Sequence, residues 1–114
     1  MNEDRRRRAI RLQADYYLMT GLWPLVSMRA FEAITGPKTD RWLVKMVGLL
    51  AAAIGATLSA GLRSPRLSSE TLTLSATSAL AFATVDVVYA LRGRISKIYL
   101  ADAVLEAALL VSLR

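Results

Sequence analysis

Long uncharged runs divide the chain. Met46 to Leu62 gives 17 residues without a charge, MVGLLAAAIGATLSAGL; Thr71 to Val85 supplies another 15, Tyr16 to Met28 a further 13, and Ala107 to Leu113 the last. A helix that crosses the hydrocarbon core of a bilayer needs about 20 mostly apolar residues. On that measure the chain is expected to be all-α: a four-helix transmembrane bundle with spans over 13–34, 42–62, 70–91 and 95–114, short connections, and a basic tail over 1–12. A soluble bundle would carry a polar face along each helix. Beyond Lys45, the polar residues of the second span are only Thr57 and Ser59. The arginine-rich start has the outline of a signal peptide, but no small-x-small cleavage site precedes Arg29 and three further spans follow, so the first span is expected to be retained.

Boundary residues agree with this division. Gly36-Pro37 suits a helix stop, since proline cannot continue a helix and glycine suits its C-terminal cap. Thr39 or Asp40 can cap the second span, Ser68 or Ser69 the third, and Glu70 lies in the first turn where the helix dipole favours an acid. Arg92-Gly93-Arg94 reads as a tight connection, with Ser96 at the start of span four. Pro24 falls inside span one and is expected to kink it, freeing the carbonyl of Thr20.

Charge sets the orientation and narrows the chemistry. The 114 residues hold 15 Lys and Arg against 9 Asp and Glu, a net +6, with five arginines in the first 11 positions. A basic balance raises nucleic acid as a partner, but the chain beyond the arginines is too apolar for that. With the start of the chain inside, Arg5, Arg6, Arg7, Arg8, Arg11, Arg63, Arg66 and Arg114 face the cytoplasm, against Lys38, Arg41, Arg92, Arg94 and Lys97 outside. The bias predicts an inner-membrane, multi-pass protein with both termini cytoplasmic. The Arg5–Arg8 tail is expected to attract anionic lipid headgroups. Cysteine and histidine are both absent, which excludes disulfides, thiolate chemistry, Cys/His zinc sites and His-ligated haem; no cofactor or metal is expected.

Charges inside the spans are the candidate chemistry. Arg29 and Glu32 lie late in span one, Lys45 early in span two, Asp86 late in span three, and Asp102 and Glu106 early in span four. Alternating helix directions bring all of them to the outer half of the bundle. An ionised side chain at mid-membrane costs about 2.5–3.5 kcal/mol, so such groups face inward and find partners. Four acids meet two bases, leaving about two carboxyls without a permanent counter-charge. The expected cluster centres on Arg29, whose planar fork can serve two carboxylates, with Asp86 and Asp102 as its partners and Glu106 deeper. Tyr99 shares a helical stripe with Asp102 and Glu106. The candidate ligand site is therefore Arg29, Glu32, Asp86, Tyr99, Asp102 and Glu106. Lys45 is expected to snorkel to the interface.

Ala51, Gly55 and Ser59 recur at four-residue spacing, as do Ala52 and Ala56, with Gly48 and Gly61 nearby. Such stripes allow close helix approach within the bundle or between copies of a homo-oligomer. There is no phosphate loop, no histidine base and no GxSxG elbow, so no catalytic residue is nominated. The segments FEAITGPKTDRWLVKMVG (31–48) and DVVYALRGRISKIYLADAVLE (86–106) resemble small four-span bacterial membrane proteins of uncharacterised function. More loosely, a short bundle with acids in one half is similar to DoxX-like and EXPERA-type membrane folds, which implies redox partners or sterol-like ligands respectively. Three readings follow: binding or transport of a small or lipid-like ligand, an accessory subunit whose charges only fix helix packing, or an isomerase-like membrane enzyme.

Overall fold

The computed structural model describes residues 2–114; Met1, the first residue of the expected tail, lies outside them. The described residues are all-α, in the order α1 (Asn2–Val26), α2 (Met28–Thr35), α3 (Arg41–Gly61), α4 (Ser69–Leu91) and α5 (Tyr99–Ser112). α1 packs chiefly on α3 and α4 on α5, with smaller contacts joining α1 to α5 and α3 to α4.

Two helix ends differ from the sequence expectation. The arginine-rich segment is the first part of α1, which runs unbroken through Pro24. The helix stops at Val26 instead of kinking at the proline. Ser27 takes an extended conformation (φ −151°, ψ 95°), and its hydroxyl accepts from the N–H of Ala30 at 3.2 Å, so it starts α2 as an N-cap. At the far end, α5 begins at Tyr99 and not near residue 95. A Schellman motif closes α4 first: the Arg94 N–H reaches the Tyr89 carbonyl (2.9 Å) and the Gly93 N–H that of Ala90 (3.1 Å), with Gly93 at φ 74°. Ser68 caps α4 as expected, accepting from the Thr71 N–H at 3.1 Å. Asp40 precedes α3 without a side-chain cap bond.

The α1–α3 crossing is a contact of backbones. A Cβ on Gly21 would collide with the Gly48 carbonyl oxygen, one on Gly48 with that of Gly21, and one on Gly55 would stand 2.8 Å from the Ala14 carbonyl. The buried face of α3 is Gly48, Ala51, Ala52, Gly55 and Leu58. Ala56 is exposed, so the seam follows the helical period and takes only part of the expected stripe.

The first turns of α1 hold the molecule's opposite termini together. Arg7 donates to the carbonyls of Leu62 (3.0 Å), Ser64 (2.7 Å) and Pro65 (2.8 Å) after α3. Arg6 donates to Leu113 (2.7 Å), and Arg5 to Ser112 (3.3 Å) and to Arg114. Helix C-termini leave carbonyls without partners and carry a partial negative charge; these guanidiniums supply donors and positive charge together. Glu3 accepts from the Leu67 N–H just before α4 (3.2 Å).

Candidate functional site

A chain of buried polar side chains links α1, α4 and α5. It starts at Gln13 on α1, fully buried, whose amide donates to the Ser75 carbonyl on α4 (3.0 Å) and to the Tyr17 hydroxyl (3.1 Å). The Ser75 hydroxyl donates back to the Gln13 side-chain oxygen. One turn on, the Tyr17 hydroxyl donates to Glu106 Oε1 on α5 at 2.6 Å, and the neighbouring Tyr16 hydroxyl donates to Asp102 Oδ1. Phe82 of α4 meets the Tyr17 ring edge-on, centroids 5.2 Å apart, and keeps that side apolar.

Three carboxyls meet at this chain. Asp102 lies close to both Asp86 on α4 and Glu106 on its own helix. Asp86 is 5% exposed and Glu106 1%. Asp86 Oδ2 is buried and has no hydrogen-bond partner. Among the described residues no ion pair reaches any of the three; the two ion pairs are Arg7–Glu3 and Arg41–Glu32. None of the acidic groups is arranged to hold a metal ion, among the described residues.

Of the six residues nominated from sequence, the structure brings Asp86, Asp102 and Glu106 together and leaves three elsewhere. Arg29 is not the centre of the cluster: it is exposed on α2, because the break at Ser27 ends α1 and starts a new helix before Arg29. Glu32 belongs to a separate polar group around the α2–α3 connection. It pairs with Arg41 Nε at 2.8 Å and accepts from the Lys38 N–H at 3.0 Å. Tyr99 joins that group too: the Lys38 ammonium sits 5.0 Å from its ring centroid and 5.8 Å from that of Phe31, donating meanwhile to the Thr35 carbonyl (2.9 Å). Lys45 is exposed.

Sequence reasoning missed Gln13, Tyr16, Tyr17 and Ser75. The available signal was the four-residue spacing of Gln13 and Tyr17, which puts an amide and a phenol on one face at the start of an apolar run. As an arrangement, the site offers three acceptor carboxyls, two phenol donors and no base, in a position reached by three helices. No family model matches the chain, and no curated protein or solved structure is significantly similar to it.

Proposed function

We propose that this chain is a multi-pass protein of the cell (inner) membrane, a bundle of short connections whose carboxyl–tyrosine cluster binds or passes a small, positively charged ligand. Helices α3 and α4 are long and apolar enough to cross a membrane, and only 28% of the most apolar stretch of each is buried. A core helix of a soluble protein would be mostly covered. The apolar side chains here point outward instead: Trp42 is 67% exposed, Leu50 58%, Leu80 58% and Val104 71%. A surface of that kind suits lipid as its solvent.

The observation that carries the ligand reading is the missing counter-charge. Buried carboxylates without a base are costly, and Asp86 keeps an oxygen with no donor at all. Glu106 and Asp102 are each fixed by a tyrosine, whereas no side chain of the protein donates to Asp86 Oδ2. A protonated amine or a proton would supply the charge and the donor.

Thermal stability of the detergent-purified protein against a panel of apolar amines, apolar carboxylates and neutral sterols tests this. The amines are expected to raise the melting temperature of the wild type and to lose that effect on Asp86→Asn. Equal stabilisation by neutral compounds, or an amine response unchanged in Asp86→Asn, sinks the proposal.

A further inference from the structure

The arginines at the start of α1 fall into two groups. Arg5, Arg6 and Arg7 are held by backbone carbonyls. Arg8 and Arg11 are exposed, with no hydrogen-bond or ion-pair partner among the described residues. Three positions apart, they lie on one face of α1. With Arg7 they border an open surface groove of about 460 Å³ whose other walls are Leu12 and Leu62. Leu12 is 66% exposed, so the groove is basic at its rim and apolar along its side. It sits where α3 and α5 end, at the level where the helices of a membrane bundle would meet headgroups.

We propose that this groove seats one anionic phospholipid, its phosphate between the Arg8 and Arg11 guanidiniums and the first carbons of its acyl chains against Leu12 and Leu62. Guanidinium forks match phosphate oxygens in pairs. Arg7 cannot turn to the phosphate without leaving three carbonyls, so it is the fixed wall of the groove. Asp4, one turn before Arg8, and Asp15, one turn beyond Arg11, are both exposed; their charges flank the pair and confine a phosphate to the space between the two guanidiniums. Recognition thus passes from the expected Arg5–Arg8 run to Arg8 and Arg11. The inference rests on the membrane residence proposed above and is independent of the carboxyl site.

The test is native mass spectrometry of the full chain in detergent, titrated with phosphatidylglycerol, phosphatidylcholine or inorganic phosphate. Phosphatidylglycerol is expected to be retained in preference to the other two. The R8Q/R11Q double variant is expected to bind it about thirty-fold more loosely, the loss of two interfacial arginines, while melting like the wild type without lipid. R63Q/R66Q removes the same charge from exposed positions at the same end and is expected to change binding less than about threefold. Equal losses in the two double variants mean a diffuse attraction and overturn the groove, as does unchanged binding in R8Q/R11Q. Equal retention of inorganic phosphate or of phosphatidylcholine overturns the lipid or its charge as the thing recognised. A chain soluble without detergent overturns membrane residence and this inference together; a detergent-dependent chain with no lipid preference overturns the groove alone.

Discussion

Tyr17 is the residue on which the buried polar chain turns. Its hydroxyl accepts from Gln13 and donates to Glu106, so one oxygen joins an amide on its own helix to a carboxyl on another. Tyr17→Phe keeps the ring against Phe82 and removes only that oxygen. The expected cost is about 0.6–2 kcal/mol, the span between measured hydrogen bonds in membranes and the penalty for a buried acceptor left without its donor. Tyr16→Phe is expected to cost less, because Tyr16 is only half-buried. Reversible unfolding in mixed micelles measures both, and a Tyr17→Phe variant as stable as wild type would show that the bond contributes nothing. The carboxyls of this site were legible from the chain because an acid inside an apolar run demands a partner. The tyrosines were not: a tyrosine near the start of a span fits the interfacial belt equally well. Arg29 misled for a backbone reason, since Ser27 rather than Pro24 ends the helix and turns the following residues outward.

At the scale of elements, the glycine seam of α1 and α3 makes the sharpest prediction. Gly48→Val puts three carbons where the Gly21 backbone already stands, and the helices must separate. Overpacking of this kind costs about 1–3 kcal/mol, occasionally more. Ala56→Val, on the exposed face of the same helix, is expected to stay within about 0.5 kcal/mol of wild type. Chemical unfolding of the two variants side by side separates the cases; similar losses would place Ala56 in the interface and contradict the seam. Sequence spacing indicated that α3 could approach a neighbour closely, but four-residue repeats alone could not choose how far along the Gly48–Ala52–Ala56 row the contact runs. That choice depends on the partner, and the partner is the glycine at position 21. Helix ends followed the same logic. Ser68 and Gly93 were readable because their capping chemistry is local, whereas the start of α5 depends on how the 92–98 turn packs.

For the whole molecule, α3 and α4, of the four spans expected, are helices long and apolar enough to cross a membrane, and the all-α class was readable from hydropathy alone. The joining of the first turns of α1 to residues 62–65 and 112–114 was not, because lone arginines do not announce which carbonyls they will meet. That joining has a topological corollary. Reporters fused after Arg66 and after Arg114 are expected to read the same side of the membrane, cytoplasmic by the arginine bias, and one inserted at Thr39 the other side; a split between the first two contradicts the Arg5–Arg7 contacts. The unequal lengths of the helices reach further still. At about 1.5 Å per residue, α3 and α4 rise about 31 and 34 Å but α5 only about 21 Å, short of a hydrocarbon core of about 30 Å. On the membrane residence proposed above, a bilayer would have to thin beside α5 or let water dip toward Tyr99, and Asp102 lies within one turn of that end. Under that proposal membrane thickness would control how wet the carboxyls are: a thin bilayer would match α5 and seal them, and a thick one would strain the rim and open them to the aqueous side.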